Sequence, residues 1–364
     1  MKVKELITHL EEFAPPSLQE SYDNAGLLVG DPDDEISGVL ICLDSTEAVL
    51  DEAILKGCNL IVAHHPIIFS GLKKITGKNY IERVVIKAIK NGLSIYAAHT
   101  NLDNVRMGVN SKIAERLGLK DTRVLSAKKN MLRKLVTFGP VDVADHIRNA
   151  LFSAGAGEIG DYSECSFSTV GTGTFNGGVT TNPYVGKKGV RHQENEERIE
   201  VIYEYWKESL IMKALFEAHP YEVVAYDLYS LENSFSEVGS GLIGSLDKPM
   251  AEKDFLHFIK SELKTACVRH SGEIHRLIQK VAICGGSGSF LLDSAIKSGA
   301  DAFVTADFKY HQFFDADGHL LIADVGHYES EQFTIELLKD IISKKNATFA
   351  VRLTKVITNS VHYT

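Results

Sequence analysis

The chain has 364 residues, of which 44% are hydrophobic and 24% charged, so it can bury a large core divided into two or three domains. Its net charge of −9 at pH 7, with no run of Lys or Arg, argues against a nucleic-acid-binding surface. No apolar run approaches membrane-spanning length, and the first residues lack the apolar stretch of a signal peptide. The five scattered cysteines include no Cys-x-x-Cys pair. We therefore expect a cytoplasmic protein with no disulfide framework, no nucleic-acid partner and no membrane partner.

The first hundred residues predict an α/β architecture. Hydrophobic spacing predicts a helix near residues 3–13, which ends at Pro15-Pro16. Strands and helices are then predicted to alternate, at residues 38–43, 47–56, 60–63, 79–90 and 94–98. This alternation is typical of βαβ units, so it predicts a parallel sheet whose functional groups gather at the carboxyl ends of its strands.

A repeat at a constant offset of 242 residues links the two ends of the chain. Residues 41–62 align with residues 283–304, and identities include Cys42/Cys284, Ser45/Ser287, Asp51/Asp293, Ala53/Ala295, Ile54/Ile296, Gly57/Gly299 and Val62/Val304. The predicted strand at residues 95–98 likewise has a counterpart at residues 320–323. We therefore expect residues 1–125 and 239–364 to form one domain built from two duplicated α/β lobes.

Residues 126–238 predict a separate small domain. Their predicted elements follow the order β-α-β-β-α-β, with a glycine-rich turn region at residues 171–178 and a charged segment at residues 193–198. This order is that of the ferredoxin-like motif, whose first and last strands pair antiparallel and bring the two ends of the module together. We expect an inserted ferredoxin-like α+β domain between the two halves of the duplicated domain.

The segment Leu60-Ile61-Val62-Ala63-His64-His65-Pro66 is the starting point for the functional interpretation. Neighbouring side chains of a regular strand point to opposite faces, but at the end of a strand two adjacent imidazoles can turn toward two metal ions. Pro66 favours extended geometry at His65 and so restricts how that imidazole is presented. Two histidines in a surface loop are the competing interpretation, so the pair needs support from its context.

That context comes from polar residues at matching places in the two lobes. Asp103 follows the strand at residues 94–98, while His327 and Glu331 follow the corresponding strand of the second lobe and lie one helical turn apart. An exposed pair at a helix start is the alternative interpretation of His327 and Glu331. Lobes packed about a pseudo-twofold axis would bring together His64, His65, Asp103, His327 and Glu331.

Three imidazoles and two carboxylates suit divalent Zn, Mn or Fe, and do not suit Ca²⁺. Five ligands are too many for one open catalytic zinc ion, and they serve two ions only if one carboxylate bridges them. The two ligand carboxylates oppose the four positive charges of two divalent ions. This count predicts a locally positive cavity that attracts an anionic small molecule.

Together, these residues resemble the GTP cyclohydrolase 1 type 2 family, also called the Ngg-interacting-factor-like dinuclear metal proteins, in its insert-containing bacterial type. The resemblance covers essentially the whole chain. It rests on five motifs, which are Tyr22-Asp23-Asn24-x-Gly26-Leu27, His64-His65-Pro66, His99-Thr100-Asn101-x-Asp103, Gly326-His327-Tyr328-x-x-Glu331 and Thr358-Asn359. Each motif is weak by itself, and their joint occurrence is specific.

The resemblance implies two divalent metal ions per subunit, with His65 and Asp103 on one ion, His64 and His327 on the other, and Glu331 bridging them. It also implies a ring-shaped homohexamer, a PII- or CutA-like insert, and hydrolytic ring opening of GTP with release of formate. Two departures from the family pattern are Ala306-Asp307 in place of Gly-Glu and Ser360 in place of proline. Neither position is expected to touch a ligand.

Three further motifs keep two interpretations each. The segment Gly285-Gly286-Ser287-Gly288-Ser289 suits either a phosphate cradle or a tight turn before a helix. His99 suits either a second-shell or acid–base group or, preferably, a structural histidine. Gly171-Thr172-Gly173 with His219-Pro220-Tyr221-Glu222 suits a small effector pocket, although an ordinary turn and a packed strand start are favoured.

Two functions from different classes follow from these patterns. The first is a dinuclear metal hydrolase that acts on GTP or another nucleotide. The alternative is a regulatory or interaction protein whose metal ions are structural and whose insert binds an effector or a partner.

Overall fold

The computed structural model describes residues 1–344 and 349–364 and divides the chain into two compact units. Residues 1–127 and 236–364 form one, here called the main unit, and residues 128–235 form the other, here called the inserted unit. The domain boundaries expected from the sequence lie two or three residues from these limits.

The main unit contributes these helices and strands in chain order: α1 (Val3–Phe13), β1 (Gly26–Val29), β2 (Gly38–Cys42), α2 (Glu47–Leu55), β3 (Leu60–Ala63), α3 (Tyr80–Lys90), β4 (Ser94–Ala97), α4 (Thr100–Asp103), α5 (Val109–Arg116) and β5 (Lys120–Lys129). The inserted unit follows with β6 (Leu132–Pro140), α6 (Ala144–Ser153), β7 (Ser166–Asn176), β8 (Arg191–Glu204), α7 (Glu208–Ala218) and β9 (Tyr226–Leu231). The chain continues with β10 (Ser234–Met250), α8 (Glu252–Glu262), β11 (Arg269–His270), β12 (Ile278–Ser287), α9 (Leu292–Lys297), β13 (Ala302–Ala306), β14 (Leu321–Asp324), α10 (His327–Glu331), α11 (Thr334–Ser343) and β15 (Ala350–Leu353).

The main unit holds two mixed sheets with the same central arrangement. Their strand orders are β1-β4-β3-β2-β15 and β11-β14-β13-β12-β10-β5. In each sheet, three strands that follow one another along the chain are parallel: β2, β3 and β4 in the first, and β12, β13 and β14 in the second. An antiparallel strand, β1 or β11, pairs with the last of the three and forms one edge of the sheet. The register is also shared, because Ile41 pairs with Val62 and Ile283 pairs with Val304, each 242 positions further along. This agreement supports the duplication inferred from the repeat.

The two lobes exchange elements, which the sequence repeat does not predict. Strand β15, near the C-terminus, pairs with β2 in the first sheet, and Leu338 and Ile342 of α11 pack in the core of that sheet. Conversely, β5 lies in the second sheet, and Ile113 of α5 packs in its core. The expectation that each end of the chain forms its own lobe is therefore wrong at these elements. An apolar helix face indicates burial but does not indicate which sheet will cover it.

Buried parallel strands position the candidate ligands. Strands β3 and β4 are fully buried; β3 leads directly into His64-His65, and β4 leads through Ala98 into His99. Strand β14 is equally buried and leads through Val325-Gly326 into His327. Hydrophobic burial thus fixes the backbone on which each imidazole stands.

The inserted unit is a four-stranded antiparallel sheet in the order β7-β8-β6-β9, covered by α6 and α7. The turn region expected at residues 171–178 is wrong for residues 171–176, which belong to β7. Gly171 and Gly173 pair with Glu196 and Glu194 of β8 in one long hairpin. Cross-strand pairing therefore overrides the weak strand propensity of glycine.

Replacing residues 128–235 with a short Gly/Ser linker should leave a folded main unit that binds its metal ions. Leu132 of β6 pairs with Leu231 of β9, so the two ends of the inserted unit lie close together. In the main unit, the flanking strands β5 and β10 are neighbours. Circular dichroism and elemental analysis check this, and a folded variant without metal would show that the insert supplies or organises a ligand.

Among the residues that the structure describes, no helix combines the length and the apolar character needed to cross a membrane.

Candidate metal centre

Glu331 lies at the centre of the residues predicted to bind metal. It is the last residue of α10 and is only 3% exposed. Its Oε2 lies 2.9 Å from His65 Nε2 and 3.1 Å from His327 Nε2, and its Oε1 lies 3.8 Å from His64 Nε2. Asp103, at the end of α4, places its Oδ1 3.6 Å from His64 Nε2. All five predicted residues therefore meet in one cluster.

The three imidazoles present the same nitrogen to this cluster. The Nδ1–H of His64 donates to the Ala98 carbonyl, that of His65 to Asp44, and that of His327 to Asp307, each over 2.7 Å. Carbonyl and carboxylate oxygens only accept, so the Nδ1 atoms carry the protons. The Nε2 atoms consequently face Glu331, which is the orientation that second-shell partners impose on metal-binding histidines.

The electrostatics of the cluster favour cations. Burial tends to raise the pKa of Glu331, but the neighbouring imidazoles, above all His327, outweigh it and hold that pKa well below its usual range. Burial opposes charge on His65, whereas Asp44 and Glu331 raise its pKa to about 9. Burial likewise opposes charge on His327, whereas Glu331 and Asp307 raise its pKa to about 11. The carboxylates here thus stabilise positive charge strongly.

Two buried polar atoms of the cluster have surroundings that suit a bound metal ion. His64 Nε2 and Asp103 Oδ1 are buried and have no hydrogen-bond partner among the described residues. Burial and the nearby Glu331 raise the pKa of Asp103 to about 7. Two buried lone pairs that face each other are unfavourable unless a cation lies between them. The ligand atoms of His64, His65 and Glu331 also lie within 4.8 Å of one another, as metal ligands do.

The division of ligands between two ions stays a prediction. The resemblance pairs His65 with Asp103, and His64 with His327. The shortest approaches in the structure instead join His64 to Asp103, while His65 and His327 share Oε2 of Glu331. In either predicted division, Glu331 would be the ligand that the two ions share.

Asp44 and Asp307 are functional candidates that sequence reasoning missed. The expectation that position 307 touches no ligand is wrong, since Asp307 Oδ2 lies 2.7 Å from His327 Nδ1. The repeat contained a signal for it, because position 307 lies 242 residues after His65 and follows β13 as His65 follows β3. These two aspartates bring the carboxylates around the cluster to four, which balances two divalent ions. The predicted local excess of positive charge is therefore not supported.

Asp307→Asn should weaken metal binding roughly 10–100-fold without unfolding the protein, because an amide holds the His327 imidazole less firmly than a carboxylate does. Asp307 is exposed, so its substitution disturbs little packing. Asp315→Asn, at another exposed position, is the matched control for the loss of one charge. Equal metal affinities of the two variants, measured by competition with a chelator, would remove Asp307 from the site.

His99 connects the motif around Asp23 to the site. Its Nδ1–H donates to Asp23 Oδ1 over 2.7 Å, and Asp23 also accepts hydrogen bonds from the backbone and side chain of Thr100. Burial opposes ionisation of Asp23, but His99 and Thr100 lower its pKa to about 2. The His99 ring lies 5.4 Å from that of His64, between centroids, and it lines a cavity beside the cluster. Its role beyond this contact stays a prediction.

The glycine-rich segment at the end of β12 packs against the cluster. The N–H of Gly285 donates to Asn110 and that of Gly286 to Ser330, so neither of these two N–H groups is available to a phosphate. A Cβ on Gly286 would lie 2.3 Å from Glu331 Oε1, and its φ is +62°. The phosphate interpretation is therefore not supported at these residues, and glycine is required because Glu331 lies against the backbone.

Gly286→Ala should abolish metal binding at the cluster, because the added methyl group displaces the Glu331 carboxylate. Gly299→Ala is a matched control, with a φ of +71° and no side chain of the cluster near its Cβ. Both variants should lose about 1–2 kcal/mol through left-handed backbone strain. Only the first should lose metal, and equal metal contents by elemental analysis would contradict this account.

Two cavities flank the cluster, and both are lined by His65 and His327. One, of about 390 Å³, is also lined by the exposed aromatic rings of Tyr22, Phe69 and Phe290. The other, of about 500 Å³, has more polar walls that include Arg269. A small molecule in either cavity would therefore contact the candidate ligands.

The chain is similar to curated proteins over nearly its whole length. The chain is 41% identical to a Halalkalibacterium halodurans protein named GTP cyclohydrolase 1 type 2 homolog, over 363 residues that cover 98% of this chain and 96% of the relative. A Bacillus subtilis protein of the same name is 37% identical, with 94% of this chain and 91% of the relative covered.

The fold has matching solved structures. The crystal structure of a Bacillus cereus protein related to NIF3 superposes with a TM-score of 0.87 at 37% identity, covering 100% of this chain and 99% of that one. A Staphylococcus aureus protein gives a TM-score of 0.80 at 31% identity, with the same coverage. Residues 1–360 match the family described as Duf34/NIF3 (NGG1p interacting factor 3). The chain belongs to this Duf34/NIF3 family.

Proposed function

We propose that the chain is a dinuclear metal-dependent hydrolase that acts on a nucleotide, with GTP as the substrate and formate and dihydroneopterin triphosphate as the products. The observation that carries the proposal is the convergence of three Nε2 atoms and two carboxylates beside two cavities. The names of the curated relatives, GTP cyclohydrolase 1 type 2 homolog, support the choice of substrate.

His64, His65, Asp103, His327 and Glu331 would hold the two ions, and imidazole with carboxylate suits Zn, Mn or Fe. When bound, such ions supply the Lewis acidity that activates water near neutral pH. Asp44 and Asp307 orient the imidazoles, and Thr358 donates to Asp44 over 2.5 Å to hold that carboxylate in turn. The chain's own contribution is thus a rigid ligand set beside an open cavity.

The cavity walls support a nucleotide as the ligand. Tyr22 and Phe290 are 64% and 68% exposed at the rim of the first cavity, and aromatic rings of this kind stack on nucleobases. Arg269 pairs with Asp324 and still lines the second cavity with 53% of its side chain exposed, so its guanidinium lies where it would contact an anionic group as well. His99 is the proposed acid–base group, because its Nδ1–H donates to Asp23 and its Nε2 lone pair is left to accept a proton from the reacting groups.

The direct test is to incubate the metal-loaded protein with GTP and to search by mass spectrometry for formate and dihydroneopterin triphosphate. We expect both products in equal amounts, and a large loss of turnover in His99→Gln with its metal content unchanged. A fully loaded protein that leaves GTP intact would overturn GTP as substrate and favour the regulatory alternative.

Three further expectations belong to this proposal. The antiparallel pairing of β6 with β9 and the order of elements support a ferredoxin-like, PII- or CutA-like insert. The resemblance to the family supports a homohexamer, which light scattering after size-exclusion chromatography would check. A cytoplasmic location is the third expectation, which fractionation of cells followed by immunoblotting would check.

A further inference from the structure

We propose that the inserted unit binds a small organic cation, such as a primary or quaternary ammonium compound, in an aromatic and acidic pocket of its own. The pocket is a cavity of about 280 Å³ formed entirely by residues of the inserted unit. Its walls include the rings of Phe175, Tyr184 and Tyr221 and the carboxylates of Glu196 and Glu222.

The three rings surround the cavity without stacking on one another. The centroid of Tyr221 lies 6.2 Å from that of Tyr184 and 6.4 Å from that of Phe175, with interplanar angles of 47° and 57°. Rings tilted in this way present several π surfaces to one volume. An ammonium group within about 6 Å of such centroids is attracted by their quadrupoles.

The two carboxylates supply charge that the protein does not neutralise. Tyr221 donates its hydroxyl hydrogen to Glu196 over 2.9 Å, and the N–H of Asn182 donates to Glu222 over 2.9 Å. Within residues 1–344 and 349–364, neither carboxylate forms a salt bridge with Lys or Arg, and neither residue type lines the cavity. In contrast, Glu197, the residue after Glu196 on β8, pairs with Arg148 of α6.

Neighbouring residues hold Glu196 and Tyr221 in place without a ligand. A Cβ on Gly173 would lie 1.9 Å from Glu196 Oε2, so only glycine gives that carboxylate its place on the strand. His219 donates from Nε2 to the Phe138 carbonyl and accepts the N–H of Tyr221 at Nδ1. Burial lowers the pKa of His219 and so keeps this acceptor neutral. Tyr221 is thus fixed through both its backbone and its hydroxyl group.

These features together select the chemical class of the ligand. Two unneutralised carboxylates repel nucleotides and other anions, while the aromatic walls favour a cation that carries apolar groups. A bare divalent ion would instead need several oxygen ligands converging within bonding distance. This pocket is separate from the metal centre, since every residue that lines it lies between positions 174 and 225.

The test is isothermal titration calorimetry of the full, metal-loaded chain at constant ionic strength. The probes are choline, its uncharged isostere 3,3-dimethyl-1-butanol, the anion 3,3-dimethylbutanoate, and calcium chloride. We expect saturable binding of choline at millimolar concentrations, at least tenfold weaker binding of the isostere, and no binding of the anion. Equal binding of choline and its isostere, absence of choline binding, or preferential binding of calcium would overturn the proposal.

Variants then locate the site. Tyr184→Leu changes a ring that is 53% exposed, so it should fold normally and weaken choline binding at least tenfold. Glu196→Gln should have an effect of similar size. Glu217→Gln removes the same charge from an exposed pair with Lys213 on α7 and should leave binding unchanged. Unchanged binding in both pocket variants would show that choline does not bind in this pocket.

Discussion

Replacing Glu331 with glutamine should empty the centre of both metal ions. The carboxylate lies within 2.9–3.8 Å of all three Nε2 atoms, and it is the group that a pair of ions would share. A neutral amide removes the negative charge and one of the two acceptor oxygens. Elemental analysis of the variant after incubation with excess metal should therefore show less than one ion per chain.

Two controls make this result specific. Asp103→Asn should lose mainly one ion, because Asp103 lies near only one of the three imidazoles within 4 Å. Glu329→Gln changes the same charge in the same short helix, where the Glu329 carboxylate accepts from Asn359 and does not contact the three imidazoles. It should keep both ions. Full occupancy in Glu331→Gln would show that Glu331 does not bridge the ions.

His65→Ala should abolish GTP turnover while the protein stays folded. His65 is only partly buried, and its substitution removes one ligand and leaves the core strands intact. His64 is a poorer choice, because it is fully buried and donates to the Ala98 carbonyl. His64→Ala is therefore expected to destabilise the fold more than His65→Ala does.

The turnover assay needs a control for contaminating enzymes. His327→Ala removes a second ligand whose side chain is 41% exposed, so it should reproduce the loss of activity in an independent preparation. His311→Ala, at an exposed position outside the cluster, should retain wild-type turnover. Equal turnover by the wild type and both ligand variants would assign the activity to a contaminant.

Local sequence patterns predicted most of the fold that positions the site. The βαβ periodicity located β2, β3 and β4 within a residue or two, and the offset of 242 matches the register of both sheets. Polar residues directly after buried strands identified the cluster, because the carboxyl ends of parallel strands meet at one edge of a sheet.

The parts that sequence reasoning missed depend on contacts between distant residues. Asp44 holds His65 and Asp307 holds His327 across about twenty positions, and an aspartate in a loop carries no local mark of such a bond. The exchange of β15 and α5 between lobes is equally invisible, because amphipathic spacing is the same whichever sheet lies opposite. The sequence left a phosphate cradle and a tight turn both open at Gly286, because its actual neighbour, Glu331, is 45 positions away.

The number of metal ions bound per chain tests the central claim most directly. We expect two divalent ions per chain when purified protein is saturated with metal, freed of excess by gel filtration and measured by elemental analysis against amino-acid analysis. We also expect Asp103→Asn to retain one. A saturated wild-type chain that holds a single ion would contradict the dinuclear centre and the bridging role of Glu331.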